Sequence, residues 1–224
     1  MNTLTVWNDM PPVNFREVIA YAADRGIRVI AGFHWGWGKT LDLGDPAVVD
    51  LLEQYVLEHY EKEYAPLGLS AIYFQTLTEF PADNNEIAAR NTRLCCDMVN
   101  RVAAGLLKRH PELRIYFGIH AISIMDNINI LEGLDSRVSL VWEDAGMTPY
   151  CIDPVTRKTD TRRGWLNQLP DMSSTIAYSK RIARLRDCRE FMMVAKGFIN
   201  LRWDNFEHHR KFWMGGRLPH QIRR

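Results

Sequence analysis

The stretch AIYFQTLTEF, residues 71–80, begins as an apolar β-strand and ends at the carboxylate of Glu79. It is followed by PADNN, which cannot continue a strand because proline lacks an N–H donor and the polar residues favour turns. Successive side chains of a strand point to opposite faces, so Glu79 is predicted to lie on the inner face of a sheet. The predicted inner residues are Tyr73, Gln75, Leu77 and Glu79, and the predicted outer residues are Ile72 and Phe74. The role of Glu79 depends on whether other predicted strands also end with polar residues at the same edge of the sheet.

Helix-like and strand-like segments alternate along the chain. Strands are predicted in LTVW (4–7), IRVIAGFHWGW (27–37), LSAIYFQTLTEF (69–80), LRIYFGIHA (113–121), RVSLVWEDAG (137–146) and FMMVAKGFINLRW (191–203). Helical spacing or capping residues separate them, such as Asp45 and Pro46 at the start of one helix, and the last helix is predicted over about 175–189. This alternation predicts parallel strands covered by helices.

Two architectures fit parallel strands covered by helices. A doubly wound nucleotide-binding sheet needs a glycine-rich turn after an early strand, but GFHWGWGK (32–39) matches neither GxGxxG nor GxxxxGK[ST]. The α/β fold class is therefore predicted to be of the (β/α)8 TIM-barrel type. With about six β/α units in 224 residues, we expect a single incomplete barrel domain over residues 1–224, truncated at one or both ends.

The composition of the chain argues against a membrane protein and against a nucleic-acid-binding protein. The chain is 46% hydrophobic and 25% charged, its N-terminus lacks the pattern of a secretion signal, and it has no apolar run of membrane-spanning length. Basic residues concentrate after residue 157, but in YSKRIARLRDCREF (178–191) they are spaced as on one exposed helix face, without an aromatic stacking platform. A cytoplasmic protein is predicted, with no membrane or nucleic-acid partner, and the four cysteines are expected to be reduced thiols.

Aromatic and polar residues recur where the predicted strands end. They are Trp7, Asn8, Asp9, His34, Trp35, Trp37, Thr78, Glu79, His120, Trp142, Glu143, Asp144, Asn200, Arg202, Trp203 and Asp204. In a (β/α) barrel these strand ends meet at one pole, where active sites lie. Tryptophan faces suit the apolar patches of sugar rings, and carboxylates and amides bond sugar hydroxyls. A carbohydrate is the predicted ligand.

The chain also resembles a known group of enzymes. RGIRVIAGFHWGWG (25–38), IYFQTLTEF (72–80) and VSLVWEDAG (138–146) are similar to the catalytic barrel of glycoside hydrolases related to the family 20 β-hexosaminidases and family 67 α-glucuronidases, over roughly residues 6–203. The resemblance implies a glycosidase that uses two carboxylates. Hexosaminidases have an adjacent Asp-Glu pair where this chain has Thr78-Glu79, so the α-glucuronidase pattern is closer and implies an inverting reaction.

Glycosidic hydrolysis needs one protonated carboxylic acid and one ionised carboxylate. Glu79 is the predicted acid and Glu143 the predicted base or nucleophile, because strand alternation puts Glu143 on the more polar face of its strand; Asp144 is the fallback. The residues expected to stack against the sugar are Trp35, Trp37, Trp142 and Trp203, and those expected to bond its hydroxyls or a carboxylate are His34, His120, Asn200 and Arg202. No cofactor is expected.

Two alternatives stay open. A metal-dependent barrel enzyme would bind Zn²⁺ or Mn²⁺ through His34, His120, Glu79 and Glu143, whose imidazole and carboxylate groups are suitable ligands. A barrel that binds carbohydrate without catalysis would retain the tryptophans and dispense with the carboxylates. An incomplete barrel would also expose strand edges, which predicts self-association or further domains in a longer chain.

Overall fold

The computed structural model describes residues 2–7, 11–33, 42–77, 82, 84–145, 172–185 and 191–195. These residues form six strands: β1 (Thr3–Trp7), β2 (Arg28–Phe33), β3 (Ala71–Leu77), β4 (Arg114–Ile119), β5 (Val138–Ala145) and β6 (Phe191–Ala195). All neighbours are parallel, and the strand order in the sheet is β1-β2-β3-β4-β5-β6, which is also the order along the chain.

Helices connect the strands. The described α-helices are α1 (Phe15–Ala23), α2 (Pro46–His59), α3 (Asn85–Arg109), α4 (Ala121–Ile124) and α5 (Met172–Leu185). A π-helical turn (Tyr60–Tyr64) and a 3-10 turn (Ala65–Leu67) extend α2, and the segment Asn127–Gly133 is also 3-10. Asp45 caps α2 as predicted, accepting a hydrogen bond from the Ala47 N–H, and Asn84 caps α3, accepting one from the Ile87 N–H, each at 2.9 Å.

All the described helices cover the same face of the sheet. The main core joins outer strand residues such as Ile72, Phe117 and Leu140 to buried residues of α1, α2, α3, α4 and α5. A separate inner cluster consists, within the described part of the chain, of strand residues only: Ile30, Ala71, Tyr73, Tyr116 and Val141, with Met192 and Val194 packed against them. A sheet wound in one direction, with helices on one face and side chains packed together on the other, is an arc of a (β/α) barrel.

The fold class predicted from the alternation is therefore confirmed. A doubly wound sheet reverses its strand order and has helices on both faces, and neither feature occurs in the described residues. Among those residues the sheet is an incomplete barrel of six strands, with β1 and β6 each paired on one side. No helix in the described ranges is long and apolar enough to cross a bilayer.

Strand β3 departs from the predicted alternation, and the register between β5 and β6 also shifts, between Trp142 and Ala145. The register between β3 and β4 shifts between Phe74 and Leu77, so an extra residue is accommodated in β3. As a result Leu77 is fully buried in the helix-facing core, whereas the sequence pattern placed it on the inner face. An inner position for Glu79 requires unbroken alternation from Tyr73 to Glu79, and the alternation is broken before Leu77.

Candidate active site

The site begins with two buried polar residues at the ends of neighbouring strands. Ile119, the last residue of β4, pairs with Trp142 of β5, so the residues that follow, His120 and Glu143, are adjacent at the C-terminal edge of the sheet. The His120 Nε2 and Glu143 Oε2 atoms are 3.3 Å apart, and the two residues are only 5% and 1% exposed. We call them the His120–Glu143 pair.

The two residues of the pair lie at the ends of neighbouring strands, and the register of β5 against β6 shifts between Trp142 and Ala145, where Glu143 lies. Glu143 lies within β5, and His120 is the residue between the end of β4 and the first turn of α4. The backbone carbonyl of His120 accepts hydrogen bonds from the N–H groups of Ser123 and Ile124, at 3.0 and 3.1 Å. The start of α4 therefore fixes the backbone at His120, and the end of β5 sets the position of the Glu143 backbone.

Burial makes the pair costly for the fold. A carboxylate removed from water loses solvation, and a buried ion pair recovers that cost only when its geometry and its other hydrogen bonds are good. An apolar pair of similar volume would serve the core at least as well. Buried titratable groups at the C-terminal edge of a parallel barrel therefore make this pair a candidate site of chemistry.

The inner cluster lies directly beneath the pair. In register, Tyr73 pairs with Tyr116 and Gly118 pairs with Val141, so the layer of Gly118 and Val141 is two residues below His120 and Glu143. Arg28 Nη1 donates a hydrogen bond to the Tyr116 hydroxyl at 3.0 Å. Arg28 is the first residue of β2, so this bond lies toward the N-terminal ends of the strands, on the side away from the pair. Between that bond and the pair, the inner face carries the phenol of Tyr73 among apolar side chains.

The structure brings together His120 and Glu143 from the predicted set. Asp144 is part of β5, and its side chain lies outside the described positions. The other predicted site residues also lie outside the described residues: Glu79, His34, Trp35, Trp37, Asn200, Arg202 and Trp203. Their participation stays a prediction.

The structure places Trp142 in a different position from the one predicted. It was expected to stack against a sugar, but it is fully buried in the helix-facing core, and its ring contacts Tyr178 of α5 edge to face at 4.9 Å between ring centroids. The reason is strand alternation: Trp142 precedes Glu143, so their side chains point to opposite faces of β5. Trp142 is therefore a core residue, and we remove it from the site.

Sequence reasoning missed the polar residues of the inner face. In the sequence, Tyr73 and Tyr116 have the pattern of ordinary apolar strand residues. Arg28 has the pattern of a solvent-exposed residue at the start of a strand. The signal that was available is Gly118 within LRIYFGIHA, because a glycine inside a strand often marks the close approach of another group. Within the described ranges, no three His, Cys, Asp or Glu side chains converge as the ligands of a metal ion would.

Comparisons with known proteins leave the family of the chain open. The sequence matches no protein-family model and no curated protein sequence, so membership of glycoside hydrolase family 20 or 67 is not supported. A solved structure of D-psicose 3-epimerase with D-tagatose from Clostridium cellulolyticum H10 aligns with 90% of this chain and 80% of its own, with 10% sequence identity and a TM-score of 0.45. At that level of similarity the fold class rests on the strand order and on the one-sided helical layer.

Proposed function

We propose that the chain is a carbohydrate-active barrel enzyme that hydrolyses a glycosidic bond, with Glu143 as the catalytic carboxylate. The observation that supports this is a glutamate only 1% exposed, held 3.3 Å from a histidine at the C-terminal edge of a parallel barrel arc. Glycosidases need an ionised carboxylate at a defined place beside the anomeric carbon. Glu143 has the buried setting at the end of a strand that this role needs.

In the proposed reaction Glu143 works with a second carboxyl group. Glu79 donates a proton to the leaving oxygen while the bond between that oxygen and the anomeric carbon breaks. In an inverting reaction the Glu143 carboxylate takes a proton from the water that attacks the opposite face of the sugar. In a retaining reaction Glu143 itself attacks the anomeric carbon, and water later hydrolyses the glycosyl ester.

His120 acts through Glu143. An imidazole N–H at Nε2 would donate to Glu143 Oε2, fixing the rotation of the carboxylate so that its other oxygen faces the substrate. Replacing His120 should therefore reduce the rate without removing the catalytic group.

The test is hydrolysis of a panel of p-nitrophenyl glycosides by purified protein. Glu143→Gln and Glu79→Gln should each lose about 10²- to 10⁴-fold in rate, because each removes a group that transfers a proton or attacks the sugar. Glu132→Gln is the matched control, since Glu132 is exposed on the 3-10 segment away from the strand ends. Wild-type rates in Glu143→Gln would remove Glu143 from the mechanism.

The stereochemistry follows from the separation of the two carboxyl groups. A distance of about 5 to 5.5 Å belongs to a retaining enzyme and one of about 6.5 to 9.5 Å to an inverting enzyme. We expect inversion, as the α-glucuronidase resemblance implies. Detection of the first-formed anomer by NMR during hydrolysis settles this directly.

A metal-dependent barrel enzyme is the second candidate. The distance between the two side chains of the His120–Glu143 pair favours it. Two ligand atoms that are each about 2.1 Å from a tetrahedral zinc ion lie about 3.4 Å apart. The separation of 3.3 Å between Nε2 and Oε2 matches that value and is longer than the usual N–H···O distance of about 2.9 to 3.0 Å. Further ligands would have to be water or residues beyond the described part of the chain.

Chelation separates the two candidates. EDTA treatment followed by dialysis should leave the hydrolysis rate of a two-carboxylate enzyme unchanged. If chelation abolishes activity and Zn²⁺ or Mn²⁺ alone restores it, the metal-dependent mechanism replaces the two-carboxylate mechanism. Mass spectrometry of the native protein before chelation would then show the bound ion.

A further inference from the structure

Gly118 has no side chain at a point where a side chain would collide with Tyr73. A Cβ atom placed on Gly118 would lie 1.8 Å from the Tyr73 hydroxyl oxygen, 2.6 Å from Cζ and 3.0 Å from Cε2. The end of the Tyr73 phenol therefore rests directly on the β4 backbone at Gly118. Since glycine weakens a strand interior, its use here indicates that the position of the phenol matters.

The phenol reaches from β3 to a point just beneath the His120–Glu143 pair. Tyr73 is level with Tyr116 in the register, yet its hydroxyl lies at Gly118, two residues further toward the C-terminal edge. His120 is two residues beyond Gly118, which is about 6.6 Å along a strand. The Tyr73 hydroxyl therefore occupies the layer between the packed interior of the barrel and the candidate active site.

The hydroxyl is not required for filling space. Tyr73 is 2% exposed in the inner cluster, where Ile30, Ala71 and Val141 are apolar neighbours. A phenylalanine would fill almost the same volume. A buried hydroxyl that is aimed toward a site by a strand glycine is suited to binding a polar atom in that site.

We propose that Tyr73 forms the floor of the active site and is a specificity-determining residue, whose hydroxyl hydrogen-bonds a hydroxyl group of a sugar ring bound at the His120–Glu143 pair. Gly118 is the residue that permits this placement. The proposal deepens the proposed function and rests on it. It identifies the deepest contact of the ligand as a polar one, so a sugar that lacks the matching hydroxyl should bind less well.

The experiment compares wild type with Tyr73→Phe on the best p-nitrophenyl glycoside from the panel and on its deoxy analogues. We expect kcat/KM of Tyr73→Phe to fall about three- to tenfold on the complete sugar, as the loss of one hydrogen bond implies. On one deoxy analogue the two proteins should have equal kcat/KM. Values within twofold of wild type on every substrate would overturn the proposal. Ile30→Val, in the same cluster, is the matched control and should behave as wild type.

Gly118→Ala tests the placement of the phenol. The added methyl group displaces the ring, so this variant should lose at least the activity lost by Tyr73→Phe, together with thermal stability. The double variant Tyr73→Val/Gly118→Ala has room for the methyl group and should regain stability but not kcat/KM. Recovery of both quantities in the double variant would show that Tyr73 only packs the interior, and would overturn the proposal.

A failure of the proposed function is distinguishable from a failure of this inference. If wild type cleaves no glycoside, the proposed function fails, and the inference is judged by binding. Isothermal titration with glucose, glucuronate and N-acetylglucosamine would then compare wild type with Tyr73→Phe. Weaker binding by the variant supports the role of Tyr73. Equal binding, or no binding by wild type, overturns it.

Discussion

Replacing Trp142 by alanine distinguishes a core residue from a residue that stacks against a sugar. The Trp142 indole is fully buried and packs edge to face on Tyr178, so this contact joins β5 to α5. Truncating a buried tryptophan to alanine typically costs about 3 to 5 kcal/mol, because buried surface is lost and a cavity remains. For a chain of this size each kcal/mol lowers Tm by about 2 to 4 °C, so Trp142→Ala should lower Tm by about 6 to 20 °C.

The assay is thermal unfolding followed by circular dichroism, with sugar binding measured at a temperature where both proteins are folded. Trp142→Phe keeps part of the ring and should cost about 1 to 2 kcal/mol. Leu51→Ala is the control, because Leu51 is 69% exposed on α2 and its truncation should change stability by less than about 0.5 kcal/mol. A Tm for Trp142→Ala within 2 °C of wild type (about 1 kcal/mol or less), with tenfold weaker sugar binding, would refute the core assignment.

Burial raises the pKa of the Cys95 thiol, with neighbouring Cys96 adding to the shift, so alkylation followed by peptide mass spectrometry should leave both unlabelled in the native protein and labelled in denaturant. Burial raises the pKa of Tyr60 to about 12, and its hydroxyl donates to the Leu69 carbonyl at 2.9 Å; Tyr60→Phe should therefore cost about 1 kcal/mol below pH 10. Since the folded pKa is the higher one, that contribution should disappear as the pH rises from about 10 toward 12, as unfolding measured at several pH values would show. The outer edges of β1 and β6 lack a partner strand among the described residues, so we expect self-association in sedimentation velocity, and a monodisperse monomer would contradict this.

Strand alternation in the sequence predicted which face of the sheet the residues of β4 and β5 occupy as far as His120 and Glu143. In β4 and β5 the period of two holds from Ile115 to His120 and from Val138 to Glu143, and the pairing of Ile119 with Trp142 makes the two polar residues adjacent. Alternation also gives the observed face of Trp142, because consecutive residues of a strand point to opposite faces and Trp142 directly precedes Glu143. The expectation of sugar stacking came from residue type alone and ignored the face on which the residue lies.

The same reasoning failed in β3 because alternation counts residues and does not detect a bulge. The shift between Phe74 and Leu77 reverses the predicted face of Leu77, and nothing in the letters QTL marks it. The long-range placement of the Tyr73 phenol over Gly118 was also beyond the sequence, since it depends on the register between two strands separated by α3. Local patterns predict elements and faces, whereas contacts between strands require the register.

Chemical rescue of Glu143→Ala by azide tests the central claim most directly. Azide is a small nucleophilic anion that fits the space left by a deleted carboxylate. If Glu143 is the catalytic carboxylate, Glu143→Ala should lose at least a hundredfold in hydrolysis of the best p-nitrophenyl glycoside. Added azide should restore p-nitrophenol release and give a glycosyl azide of inverted anomeric configuration, identified by NMR. A Glu143→Ala variant that hydrolyses the glycoside at the wild-type rate, or whose lost activity returns with a divalent metal and not with azide, would contradict the assignment.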